Sequence, residues 1–143
     1  VEKYAHMLQL PFVIMDKRRK ANDDNAKIQN IIGDVDGKDA IIFDDEISTG
    51  GSMIDTARIL KAHGARTISA GVVHGVLCGG AVERINACPD ITELVATNSV
   101  TTPDKAGDKI KVLSCSQVLA KAIQHIHHGD SLTPIFSEYY YNS

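Results

Sequence analysis

Apolar residues fall along the chain in short clusters whose spacing switches between two periods. Ala40-Ile41-Ile42-Phe43 is apolar at every position and too short for a helix, which is how a parallel strand buried on both faces reads. Met53–His63 then follows helical spacing and is closed by Gly64, a helix-stop signal. Thr67–Val73 is rich in β-branched residues and predicts a strand, as do Ile91–Thr97 and Ile110–Leu113. Between them, Gly79-Gly80 precedes a short helix at Ala81–Ala87. Ser116–His128 predicts an amphipathic helix built on Val118, Leu119, Ala122, Ile123 and Ile126.

Upstream, Val1–Leu10 predicts a helix with Tyr4, Met7 and Leu8 on one side, broken by Pro11. Phe12–Met15 reads as a short buried strand, and Ile28–Val35 as another, ended by the turn Asp36-Gly37-Lys38. No period survives in the polar stretch from 16 to 27, which predicts a mobile loop. Asn98–Asp108 is a second loop, and the segment from 129 to 143 is predicted as an irregular tail ending in Tyr139-Tyr140-Tyr141. Strands alternating with helices imply βαβ units. The expected fold is therefore a single domain over 1–143, a three-layer α/β/α arrangement around a mainly parallel sheet.

Composition narrows the function classes. The 143 residues carry 15 Lys+Arg against 18 Asp+Glu, a net charge of −3, with no basic stripe interleaved with aromatics, so no nucleic-acid partner is expected. No apolar run approaches the ~18 residues of a membrane span, and no secretory signal is visible. Cys78, Cys88 and Cys115 form no C-x-x-C pair, which suits reduced thiols in a cytoplasmic protein. The first residue is Val1, inside an expected helix, which suggests part of a longer protein.

The chemistry concentrates at Asp44-Asp45-Glu46-Ile47-Ser48-Thr49-Gly50-Gly51-Ser52, between the expected strand and helix. In open α/β sheets ligands bind in the crevice beyond the strands' carboxyl ends. Ionised carboxylates only accept hydrogen bonds, and a cis-diol such as that of ribose donates two, so Asp44 and Asp45 suit a sugar. Gly50 and Gly51 allow successive N–H groups to converge on an anion, Ser48, Thr49 and Ser52 add hydroxyl donors, and the helix start adds a favourable field. Diol at one end and phosphate at the other describe a pentose 5-phosphate. A P-loop is excluded, because no Lys lies between residues 39 and 60. An EF-hand begun at Asp34 would put Lys38 and Asp39 where an oxygen ligand and the turn glycine belong.

The segment Phe43–Ser52 resembles the phosphoribosyl-diphosphate (PRPP) motif of the type I phosphoribosyltransferase fold. Further segments resemble one family of that fold, the ribose-phosphate diphosphokinases or PRPP synthetases. They are Asp16-Lys17-Arg18-Arg19, Ile32-Gly33-Asp34-Val35, His74–Ile85 with its Gly79-Gly80-Ala81-Val82-Glu83-Arg84, and Ile126-His127-His128-Gly129-Asp130-Ser131. They follow the family's order over nearly the whole chain. The resemblance implies binding of ribose 5-phosphate and transfer of the diphosphoryl group of ATP to its O1, giving PRPP and AMP. It implies catalytic roles for Lys17 and Arg19 on a loop that closes over the nucleotide, and Mg²⁺ accompanying ATP, with no dedicated metal cage in this chain. It also implies an allosteric anion site using Ser131 and Thr133, and a homo-oligomer assembled from dimers.

Family members are about twice this length, and their first half carries much of the ATP site. The chain thus resembles the C-terminal half, expected to bind the pentose phosphate and to turn over poorly or not at all alone. Ser48 departs from the pattern, since many relatives have an acid there. The three histidines His125, His127 and His128 read as a helix C-terminus favoured by the dipole, and His74 as a polar contact near the crevice. Two alternatives remain: a phosphoribosyltransferase that consumes PRPP, and a catalytically inactive, synthetase-associated or pentose-phosphate-binding module. The first shares the acidic pair and glycine turn but has no reason to carry Lys17-Arg18-Arg19.

Overall fold

Four of the apolar runs pair in sequence order into one parallel sheet, β3-β4-β5-β6, from β3 (Asp39–Ile47), β4 (Thr67–Gly75), β5 (Glu93–Thr97) and β6 (Ile110–Leu113). Two more, β1 (Ile14–Arg18) and β2 (Lys27–Ile32), form a separate antiparallel pair. The computed structural model describes residues 2–18, 27–101 and 106–140. Helix α1 (Glu2–Met7) precedes the antiparallel pair, α2 (Gly51–Ala62) links β3 to β4, and α3 (Ala81–Ala87) links β4 to β5. Helices α4 (Ser116–His128) and α5 (Thr133–Tyr140) close the chain. Among the described residues no helix is long and apolar enough to cross a membrane.

Burial alternates with the two-residue period of the strands. Ile68, Ala70 and Val72 of β4 and Leu94 and Ala96 of β5 are buried, in one cluster with Met53, Ile54, Ala57 and Leu60 of α2 and Ala81 and Ile85 of α3. Right-handed crossovers between strands laid down in one direction put α2 and α3 on this same face. The opposite face carries Ile41, Phe43, Gly71, Val73 and Leu113. Helix α1 reaches it at Phe43, where the Tyr4 ring stacks at 4.8 Å, and Phe43 in turn lies over Gly71. The result is a mixed α/β fold with helices flanking a parallel sheet.

Several boundaries differ from the sequence expectation, each for a physical reason. β3 runs on through the acidic residues to Ile47 because its pairing with β4 continues to Ile47↔Gly75. It is an edge strand with Ile41 52% exposed, so an all-apolar run did not mean burial on both faces. β1 begins later than Phe12 and takes in residues 16–18, which had read as loop, because Ile14–Arg18 pairs with Lys27–Ile32 through a bulge at Asp16/Lys17. The rest of the expected mobile loop, 19–26, lies outside the described residues.

β2 stops at Ile32. Gly33 follows at φ +123°, and a Cβ there would stand 3.1 Å from the Val13 side chain. The tail expected to be irregular contains α5. Ser131 Oγ accepts the Thr133 N–H at 3.1 Å, Pro134 suits a first helical turn, and Ile135 is buried. Helix α4 lies where its spacing placed it, yet none of its residues is buried.

Candidate functional site

The carboxyl ends of β3 and β4 lie side by side, so the two loops that follow them meet. Ile47, 3% exposed, anchors the end of β3. Its carbonyl accepts the Leu77 N–H at 3.1 Å, and the Ser48 carbonyl accepts the Cys78 N–H at 3.1 Å. Leu77 holds φ +47°, a left-handed conformation rare for a leucine, and its buried side chain keeps it there. Ser48 Oγ lies 3.2 Å from Cys78 Sγ, which ties the hydroxyl to the same neighbour.

Gly50 then turns the chain at φ +80° and ψ −7°, a position closed to most side chains, and its carbonyl accepts the first helical N–H, from Ile54, at 3.1 Å. Gly50 makes no side-chain cap at α2, and the amides of a first helical turn must find their partners outside the helix. The loop after β4 repeats the device, with Gly80 at φ +79° opening α3.

The acidic pair precedes this turn. Asp44 Oδ1 accepts the Asp45 N–H at 2.9 Å. The Asp45 carboxyl is held below the ordinary carboxylate range, first by hydrogen bonding with the Asp44 carboxyl, then by the backbone amides of Asp45 and Glu46, with His74 adding a favourable charge. Asp45 therefore stays an anionic acceptor at neutral pH. Asp44, Asp45 and Glu46 are all exposed. His74 pairs with Glu46 in register, and its Nδ1 lies 2.8 Å from Ser99 Oγ. That hydroxyl spends its own proton on the Val73 carbonyl at 2.9 Å, so it accepts from His74 Nδ1–H. Among the described residues no three His, Cys, Asp or Glu side chains form a metal-holding group.

The structure thus brings together Asp44, Asp45, Ser48, Thr49, Gly50, Gly51 and Ser52 on one strand end, turn and helix start. A groove of about 690 Å³ beside β3, mostly apolar and lined by Leu10, Phe12, Ile41 and Phe43, reaches this end at Asp44 and Ser52. The Lys17 backbone lies in β1, and Arg19 falls outside the described residues. Ser131 and Thr133 lie elsewhere, at the start of α5. There Ser131 Oγ donates to Thr133 Oγ1 at 3.0 Å, and Thr133 lines a second groove with Lys3, His6 and Phe136.

Sequence reasoning missed Arg84 as more than part of a motif. From α3 its Nε and Nη2 donate to the Thr49 carbonyl at 3.2 and 2.5 Å, and Nη2 donates also to the Gly79 carbonyl at 2.9 Å. The partners are 35 and 5 residues away, so spacing alone gave no signal beyond a cation one turn after a glycine pair.

A family model described as "Phosphoribosyl synthetase-associated domain" matches residues 5–137. A ribose-phosphate pyrophosphokinase of Caldanaerobacter subterraneus is 46% identical over 136 residues, 94% of this chain and 42% of the relative. One from Bacillus subtilis is 42% identical over 136 residues, with 94% and 42% covered. The crystal structure of a phosphoribosylpyrophosphate synthetase from Mycobacterium smegmatis superposes with a TM-score of 0.79 at 32% identity, over 90% of this chain and 41% of that one. The chain spans about two fifths of the length of these relatives.

Proposed function

Since the chain belongs to the phosphoribosyl synthetase-associated domain family, we propose that it is the ribose-5-phosphate-binding half of a ribose-phosphate diphosphokinase. The observation that carries this reading is the β3–α2 turn, where left-handed Gly50 opens a helix directly after an exposed, hydrogen-bonded pair of carboxylates. Asp44 and Asp45 accept the sugar hydroxyls. The amides and hydroxyls of Ser48 to Ser52 hold the 5-phosphate, where charge-assisted bonds at a helix start are strongest.

In the reaction, O1 of the sugar attacks the β-phosphorus of ATP. The bond from that phosphorus to the oxygen bridging the α-phosphate breaks, AMP leaves, and the O1–H proton is lost. Such transfers ask a protein for positioning and positive charge. Lys17 supplies a point charge and Arg19 a planar fork for phosphate oxygens. Mg²⁺ belongs to the nucleotide and neutralises charge on its phosphates. Such a cation keeps several waters and takes few protein ligands, and among the described residues this chain gathers no three His, Cys, Asp or Glu side chains to hold one.

The ATP side is completed by the N-terminal half of the enzyme, and the assembly is a cytoplasmic homo-oligomer. Support comes from uncovered apolar surface: Ile41, Val73 and Leu113 on the sheet, and Val118, Leu119, Ile123 and Ile126 on α4, are all exposed. Ser131 and Thr133, at the start of α5, would turn their hydroxyls from each other toward an anion to form a regulatory site. Without the other half the chain binds the sugar phosphate and turns over little or not at all.

Calorimetry tests the assignment. Ribose 5-phosphate binds the wild-type chain, and Asp45→Ala weakens it roughly 10–100-fold through loss of charge-assisted hydrogen bonds worth ~1.5–3 kcal/mol. Ser52→Ala weakens it by a smaller factor. Unchanged affinity in both variants rejects the site.

A further inference from the structure

Three consecutive carbonyls of the β3–α2 turn are all held from one side. Ile47 and Ser48 accept backbone N–H groups of Leu77 and Cys78, and Thr49 accepts the Arg84 guanidinium. A trans peptide is planar, with its C=O and the following N–H pointing in opposite directions. Fixing these three carbonyls on the β4–α3 side therefore fixes the N–H groups of Ser48, Thr49 and Gly50 on the other side. Successive amides aimed in one direction make an anion-binding concavity.

The first two peptide planes are held by backbone atoms, which most substitutions leave in place. The third is held by a side chain, at the residue where the conformation is least determined. Gly50 has no Cβ, and its φ of +80° is one choice among several open to glycine. Arg84 is what removes that freedom. Its guanidinium grips Thr49 through two nitrogens and simultaneously grips Gly79, so the two glycine loops are locked to each other as well as to α3. A planar fork can do this; an ammonium on a flexible stem cannot hold two carbonyls in fixed directions.

We infer that Arg84 is a positioning residue that orients the Thr49–Gly50 peptide and so aims the Gly50 amide at the phosphate of the sugar. The inference rests on the reading that this turn takes the 5-phosphate. Arg84 is exposed on α3 and fills no core position, so its truncation opens no cavity. The effect belongs to binding more than to stability.

The test combines calorimetry of ribose 5-phosphate with thermal unfolding and amide NMR shifts, on the wild-type chain, Arg84→Ala and Arg84→Lys. The expected result is wild-type binding, affinity about tenfold weaker in Arg84→Ala, partial recovery in Arg84→Lys, and melting temperatures within about 2 °C. The Gly50 amide shift caused by the ligand should shrink in step, which a merely structural role does not require. Wild-type binding with Arg84→Ala within twofold of it overturns the inference and leaves the site standing. Failure of the wild type to bind overturns both. Should Arg84→Ala unfold, Arg84→Lys decides: affinity and Gly50 shift equal to wild type overturn the inference, and weakening with an unchanged melting temperature supports it.

Discussion

The two faces of the β3–β6 sheet are made by alternate residues of the same strands, yet they end up in opposite situations. On one face Ile68, Leu94 and Ala96 are fully buried beneath α2 and α3. On the other, Ile41, Val73 and Leu113 are 52%, 41% and 60% exposed, with α1 covering the sheet at Phe43. The glycine turn grows from the closed face: Gly50 packs beside Ile85 and Ala81, and Arg84 of the same helix grips the turn. Its geometry is thus fixed by interactions within this chain. The open face lacks that closure, which fits our proposal that a further half of the enzyme covers it. One face of a sheet can thus close over its own turn while the other leaves its apolar residues exposed.

Ile68→Ala and Ile41→Ala set the same chemistry on the two faces against each other. The first removes a side chain with 0% exposure and should cost about 2–5 kcal/mol in urea unfolding. A cost below that range at Ile68 would mean that the closed face is loosely packed. Next in size is Gly50→Ala, which forces a Cβ into the left-handed region. It should cost roughly 1–2 kcal/mol by thermal unfolding and weaken ribose 5-phosphate binding at the same time. Added methyl contacts do not explain such a loss, since the new Cβ would meet Ile85 at an ordinary 3.5 Å.

A smaller, pH-dependent effect belongs to Asp39, where β3 enters the sheet. Its carboxyl is bound by the Arg66 guanidinium and by the Thr67 hydroxyl at 2.6 Å, and these hold it well below the ordinary range. A depressed carboxylate contributes stability that is fully present above its unfolded value, near pH 4, and fades as the pH falls below that. Asp39→Asn should therefore lower the melting temperature slightly at pH 7, with the gap to wild type beginning to narrow below about pH 4 and closing only as the pH falls to the depressed native value. A gap that stays constant would show that charge is not its source. The pair is exposed, so the whole effect is modest.

Smallest of all, Ile41→Ala should change the stability of the isolated chain by no more than about 0.5 kcal/mol. A loss comparable with that of Ile68→Ala would erase the contrast and show that both faces are closed in solution.

The closed face and its turn were legible in the sequence because their signals are local. Helical spacing from Met53, the run Ala40–Phe43 and the glycines at 50–51 and 79–80 lie within a few residues of the elements they create. What escaped depends on distant partners. The polar half of β1 is extended because β2 pairs with it, and no hydrophobic period records that. An all-apolar strand reads alike whether its second face is covered or left open, so Ile41 could not be distinguished from Ile68. The start of α5 was marked by Ser131, Thr133 and Pro134, a capping signal obscured by a polar, tyrosine-ended tail. Arg84 acts on a carbonyl 35 residues back, a relation that exists only after folding.

In our proposal, one turn joins a diol-accepting acidic pair to a phosphate cradle. Titrating the chain with ribose 5-phosphate, inorganic phosphate and ribose tests it most directly, because joined contacts bind far more tightly than either fragment. One ribose 5-phosphate should bind per chain, at least about 100-fold more tightly than phosphate or ribose alone. Phosphate binding as tightly as the sugar phosphate would reduce the site to a bare helix start, and no binding of any of the three would rule the site out.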